Sequence, residues 1–351
     1  MRDIRSTARA DGNVLAWRGM VGCVRILIGV TSLIFLGSAP CRMTAADNPR
    51  EFHVYLYSRT FEACKGRFSE LAQDLSSLGF TDVYSSLSAS RLQSDSSYLS
   101  QVRRFNASCH AHGIRVHALL LQGKNPYLKK EKPEKDIGDT LSFNASSHGN
   151  EKFDGITFDL EPHILKEKYG IPKNFPAWDS PRGYGIGGPN DRLVQRTLHI
   201  LEKAGKQIKP AALVTSEAIG HFFHDRAKKK DLSVGEVNDF LKFVDFVILM
   251  DYSDDIRLLK KFAREEIGAA RQPRSIVICL KTRSNPLPGR DGRGPETTFR
   301  EEGWEALQRA ISDLEKEFCR FSAFRAIGIF EYESYHAMAG RRRLPRALFI
   351  K

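Results

Sequence analysis

Eight short runs rich in β-branched and aromatic residues alternate with amphipathic stretches along most of this 351-residue chain. The runs are 52–58, 82–86, 115–122, 153–161, 212–217, 246–252, 275–282 and 326–332. Several are almost continuously apolar, as in Ile276-Val277-Ile278-Cys279-Leu280, which suits parallel strands covered on both faces. Eight strands separated by helices predict a single (β/α)8 barrel over residues 51–340. The alternative, an open doubly wound sheet, would place a Gly-rich phosphate turn after its first strand. Ser58-Arg59-Thr60 stands there instead, which argues against nucleotide binding.

Between the strands, residues 60–78 repeat apolar side chains near the helical period at Phe61, Cys64, Phe68, Leu71, Leu75 and Leu78. Helices are likewise expected over 97–112, 191–208, 234–243, 256–270 and 298–318. Ser233-Val234-Gly235-Glu236 has capping-box spacing. Three connections are long: 123–152, 162–189 and 284–296. In a barrel, loops after strands build the active-site face, and long irregular ones are often functional.

The N-terminus predicts export. Arg25 closes a basic leader, an apolar run follows from Ile26 to Leu36, and small residues lead to Ala45-Ala46. The run is short for a membrane span and fits a signal peptide over 1–46, with a membrane anchor as the alternative. The expected location is periplasmic or secreted, touching a membrane only through that segment. Formal net charge is +12, and removing residues 1–46 leaves 48 basic against 40 acidic residues. The excess is dispersed, apart from Lys228–Lys230 and a basic tail over 341–351, so no nucleic-acid stripe is evident. Export permits disulfides among Cys64, Cys109, Cys279 and Cys319, without choosing between bridges and free thiols. Asn106 and Asn144 each open a glycosylation sequon.

The chemistry concentrates in Phe153-Asp154-Gly155-Ile156-Thr157-Phe158-Asp159-Leu160-Glu161-Pro162. Strand alternation puts Thr157, Asp159 and Glu161 on one face, the two acids roughly 6–7 Å apart along the strand. Neighbouring carboxyls raise one another's proton affinity, which suits a general acid near neutral pH.

This segment resembles the fourth-strand signature of family 18 glycoside hydrolases, the chitinase and endo-β-N-acetylglucosaminidase group, Asp-Gly-x-Asp-x-Asp-x-Glu. Asp154, Gly155, Asp159 and Glu161 match it, and Thr157 stands where that family has its middle Asp. Leu249-Met250-Asp251-Tyr252 is similar to the family's sixth-strand Met-x-Tyr. The resemblance implies that Glu161 protonates the glycosidic oxygen and Asp159 orients a substrate acetamido group that acts as nucleophile. Tyr252 would contact the acetamido carbonyl. It implies a glycan partner and no cofactor. Where the family puts a Trp after its last strand, Phe330 or Tyr332 is available.

Asp154, Thr157, Met250, Trp178, Tyr184, Glu217 and Tyr332 complete the candidate site, as substrate-binding residues. Trp178 and Tyr184 are candidate sugar-stacking rings. Glu217 is a candidate second acid, for glycosidases that pair two carboxylates. Asp251, out of phase with Tyr252, is expected outside the barrel. Two alternatives stay open. Barrels with altered motifs can bind glycans without cleaving them, and Thr157 supports that case. A metal-dependent hydrolase would use His221 and His224 but lacks a clear third ligand.

Overall fold

The computed structural model describes residues 51–180, 182–284 and 297–340. The export segment over 1–46, the basic tail over 341–351 and all but the first residue of the 284–296 loop lie outside them. Eight strands close into a parallel barrel in sequence order. They are β1 (Glu51–Leu56), β2 (Asp82–Ser86), β3 (Arg115–Leu120), β4 (Gly155–Phe158), β5 (Val214–Ile219), β6 (Phe246–Leu249), β7 (Ile276–Lys281) and β8 (Phe324–Phe330). β8 returns to β1 with Val54 opposite Ile329, so no strand edge is left open. The predicted fold class, a (β/α)8 barrel, is the observed one.

Alternation along each strand makes two cores. Tyr55, Tyr84, Leu119, Ala218, Phe246, Ile248, Val277 and Cys279 fill the barrel. The opposite faces pack under the helices. Gly303–Phe318, for example, buries Leu307, Ala310, Ile311, Leu314 and Phe318 along one stripe. Full burial of each larger side chain there contributes about 1.5–3 kcal/mol.

The N-terminal end of the barrel is closed by charge. Glu51 meets Arg115, Arg274 and Arg325 at 2.9, 3.0 and 2.7 Å. Asp82 takes both Arg115 nitrogens at 2.8 Å and His117 Nε2 at 3.0 Å. Gly155 is required just above. A Cβ there would lie 2.5 Å from the Val214 carbonyl oxygen and overlap the His117 ring.

Several local expectations are revised. The 60–78 helix is two, Ser58–Ala63 and Phe68–Ser77, because Gly66 takes a left-handed conformation between them. The connection over 123–152 is no irregular loop: it holds the helix Lys132–Ser146. The 234–243 helix shrinks to Val237–Leu241, with Glu236 and Asp239 forming the capping box. Ser233 bonds Asp191 instead, at 2.8 Å. All four described cysteines are free thiols. Asn106 and Asn144 are buried and hydrogen-bonded to the backbone, so neither presents its sequon. No helix among the described residues is long and apolar enough to cross a membrane.

Candidate active site

Past Phe158 the chain continues β4 for two residues beyond its ladder. The Asp159 amide donates to the Leu120 carbonyl at 3.1 Å, keeping the strand's phase. Leu160 therefore packs into the outer core, while Asp159 and Glu161 turn to the barrel's C-terminal mouth. Pro162–Ile164 then forms a 3₁₀ turn that ends the strand.

Asp159 is 8% exposed. Its Oδ2 accepts from the Gln122 amide at 3.2 Å, and Gln122 in turn accepts from Ser86 Oγ at 2.6 Å. Burial, and then the negative charge of Glu161, pushes the Asp159 carboxyl up to about 8, against the weaker opposing pull of Gln122. Glu161 is the more open partner, with 23% of its side chain exposed and His163 Nε2 3.3 Å from its Oε1. One acid is thus held protonated into the neutral range beside another that reaches the cleft.

That cleft has a volume of about 490 Å³. Glu161, His163, Trp178, Phe222, Met250 and Tyr252 are among its lining residues, with Tyr184 and Arg226 at one side. Met250 and Tyr252 enter together, as their two-residue spacing requires. The Tyr252 hydroxyl is buried, lies beside the Cys279 thiol, and has no partner in hydrogen-bond geometry. The Tyr55 hydroxyl, deeper in the barrel, is also unpartnered. Burial and nearby acids raise both phenols well above their usual range, so both remain protonated donors. Phe330 packs on Tyr55, Tyr57 and Tyr252 with centroid separations of 5.6, 5.7 and 5.6 Å.

The 162–189 connection forms one wall. Trp178 donates its amide to the Leu165 carbonyl at 2.6 Å, and the Asn190 side chain bonds both the amide and carbonyl of Asp179. Trp178 stands edge-on to Tyr184 and Phe222 and is only 5% exposed. It backs the wall, and the half-buried Phe222 ring is the more open one. The Arg226 guanidinium covers a face of Tyr184 at 4.3 Å from the ring centroid.

Four proposed substrate contacts do not reach the cleft. Asp154 lies before β4 at the opposite end of the barrel, bonded to His110 Nε2 at 2.8 Å and the Val116 amide at 2.7 Å. Thr157 is fully buried beneath the acids, its hydroxyl 2.9 Å from Ser216 Oγ. Glu217 alternates with Ser216 and Ala218, which face inward, so it points outward and is fully buried. Tyr332 follows the end of β8, opens the helix Tyr332–Met338, and donates to Asp74 Oδ2 at 2.8 Å in the outer core. Asp251 also lies outside the barrel, as expected, against Glu266 of the helix Ile256–Ala269.

Gln122, Tyr55 and Phe222 are the additions, and of the two aromatic alternatives at the end of the last strand it is Phe330 that packs beside Tyr252. The His53-Val54-Tyr55-Leu56-Tyr57 alternation carried the signal for Tyr55. Gln122 carried none, because Leu121 adopts φ +60° and so breaks strand phase just before it.

Among the described residues, one group of ligand atoms lies close enough to share an ion: Glu51, His53 and Asp82. Three guanidiniums already balance its carboxylates, so it reads as a structural charge cluster. His221 stacks on Phe262 at 3.9 Å, and His224 Nδ1 accepts the Val237 amide at 3.3 Å. Neither belongs to such a group among the described residues.

No family model and no curated protein matches the sequence. Among solved structures, the chain is similar to a GH18 chitinase from Pseudoalteromonas aurantia, with TM-score 0.52 and 13% identity over 83% of this chain and 99% of that one. It is also similar to an Ostrinia furnacalis Group IV chitinase in complex with allosamidin, with TM-score 0.51 and 12% identity over 84% and 96% of the two chains. At this identity the likeness shows a shared fold, the closed eight-stranded parallel barrel.

Proposed function

We propose that the chain is an exported glycoside hydrolase acting on a glycan that contains N-acetylhexosamine. The observation that carries this reading is the pairing of buried Asp159 with more open Glu161 at a cleft that also holds the unpartnered Tyr252 hydroxyl. The pair shares one proton, which Asp159 holds in the resting site and passes to Glu161; Glu161 donates it to the glycosidic oxygen as the bond to the anomeric carbon breaks. The substrate's acetamido oxygen forms the new bond to that carbon from the opposite face, a substrate-assisted route that needs no second protein nucleophile. Asp159 accepts the acetamido N–H, and Tyr252 donates to its carbonyl oxygen. Water, deprotonated by Glu161, then opens the cyclic intermediate and restores the acid. Every atom in this sequence comes from the side chains, the substrate and one water.

The outward orientation of Glu217 favours this route over a two-carboxylate one, because it removes the best candidate for a second acid on a neighbouring strand. A second reading, a barrel that binds glycans without cleaving them, has one specific support. The uncharged Thr157–Ser216 pair occupies the place of the signature's middle Asp. Release of reducing ends from chitin oligomers, peptidoglycan and N-glycans, run beside Glu161→Gln, separates the two. Turnover lost in the variant supports the hydrolase. Wild-type protein that binds these glycans and never turns them over refutes it.

A further inference from the structure

Glu217 has no place in the cleft, yet it touches the segment that builds it. Phe158 pairs with Glu217 at the last step of the β4–β5 ladder. Beyond that step the chain needs a new acceptor for each amide. The Asp159 amide finds the Leu120 carbonyl on the β3 side. The Leu160 amide, on the β5 side, donates to Glu217 Oε1 at 3.1 Å. A side chain thereby stands in for the missing strand partner of the one residue that separates the two acids.

We infer that Glu217 is a positioning residue: from outside the barrel its carboxyl holds the Leu160 amide, and with it the segment that presents Asp159 and Glu161 to the cleft. This assignment builds on the proposed hydrolase for its catalytic consequence but not for its structural one. The surroundings of Glu217 suit a neutral acid. It is fully buried, and its second oxygen has no partner. The charged or titratable groups acting on it are Asp159, Glu161 and, from the loop after β3, the Tyr127 phenol. Burial and the two acids raise its proton affinity well above the usual carboxylate range, and the Leu160 amide opposes this only in part. A neutral carboxyl keeps its carbonyl oxygen as acceptor without adding another negative charge behind the pair. A shorter or apolar side chain would leave the Leu160 amide buried and unpaired, a penalty that loosens the segment locally.

Two variants separate positioning from mere packing. Glu217→Gln keeps an acceptor oxygen and cannot ionise. Glu217→Leu fills similar space and offers no acceptor. Amide exchange followed by NMR is expected to show Leu160 protection lowered at least tenfold in the Leu variant and unchanged within threefold in the Gln variant, with β5 amides alike in both. In turnover, the Leu variant is expected to lose about tenfold or more in kcat with KM altered less than threefold. The Gln variant should keep both parameters and its pH profile. Unchanged Leu160 protection in Glu217→Leu overturns the inference, and so does a shifted pH profile in Glu217→Gln, which would mean that an ionised Glu217 tunes the pair. If wild-type protein turns over no glycan, the proposed hydrolase fails, and the exchange experiment still decides the role of Glu217.

Discussion

Asp159→Asn should make the protein more resistant to rising pH, because the wild-type carboxyl is buried in its neutral form. An unfolded aspartate ionises near pH 4, whereas Asp159 in the barrel holds its proton up to about 8. Between those values the folded state binds a proton that the unfolded chain has released, so stability falls as pH rises. The slope approaches 1.4 kcal/mol for each pH unit crossed, and the loss totals about 5 kcal/mol if the acid titrates as a single group. Coupling to Glu161 broadens the step without changing its sign. The asparagine variant lacks this term. Urea denaturation of both proteins from pH 4 to 9 should therefore give a stability difference that grows through the window and levels off above it. Any altered contact with Gln122 adds only a constant offset. Glu161→Gln removes the like charge, the second cause of the raised affinity, and should move the upper end of the window down. A difference that stays constant from pH 4 to 9 would refute both the burial argument and the coupling.

Other expectations follow from neighbouring contacts. Tyr252→Phe deletes a buried hydroxyl without a partner, so stability should change by less than about 1 kcal/mol. Turnover of an acetamido substrate should fall about a hundredfold as a carbonyl donor is lost; a large loss of stability instead would reveal a structural bond. A chelator should leave turnover unchanged, and a tenfold loss would revive a metal-dependent reading. Asp82→Asn removes a buried carboxylate bonded by Arg115 and His117, leaves Arg115 with Glu51, and should cost about 1–3 kcal/mol near neutral pH. Wild-type Asp82 and Glu51 are held well below the usual carboxylate range by their histidine and arginine partners, against burial. Their contribution is therefore present above about pH 4 and lost as pH falls, and acid unfolding of the variant should be shallower.

The barrel was legible because its signal is repeated: eight apolar runs, each flanked by a helix pattern, leave few closed arrangements. Strand phase was equally informative even just past the ladders, bringing Asp159 with Glu161 and Met250 with Tyr252. It failed where two conditions broke it. Leu121 leaves the extended region, so the inward turn of Gln122 is set by backbone conformation and carries no periodic trace. Glu217 belongs to a strand whose inward face is small, Ser216 and Ala218, while its outward face holds the acid. A rule that sends charge toward a barrel's mouth misplaces it. Tyr332 was misplaced for another reason: it sits past the end of β8, where the chain has already begun a helix. The wall over 162–189 was recognisable as a long connection, but the rank of the rings around it was not. Exposure separates Phe222, on the helix His221–Lys228 after β5, from Trp178, and exposure depends on how the connection packs against that helix.

Thr157 is where sequence and chemistry pull hardest against each other, and it admits a direct test. In the family-like signature a carboxylate at this position would lie beneath Asp159 and raise its proton affinity. Here a hydroxyl pair fills the space with no charge, and burial with Glu161 does the raising instead. A site tuned in this way has no need of a third acid. Thr157→Asp would introduce a carboxyl at a fully buried position whose described polar neighbour is the Ser216 hydroxyl, a cost of about 3 kcal/mol or more whichever way it is met, by desolvation or by retaining a proton. The expected result is a less stable protein with no gain in turnover on chitin oligomers, its Asp159 titrating higher than in wild type. If instead wild-type protein is inert and Thr157→Asp cleaves, the missing carboxylate is the lost part of the machinery, burial alone does not prepare Asp159 for the reaction, and the natural chain is a barrel that holds glycans without cutting them.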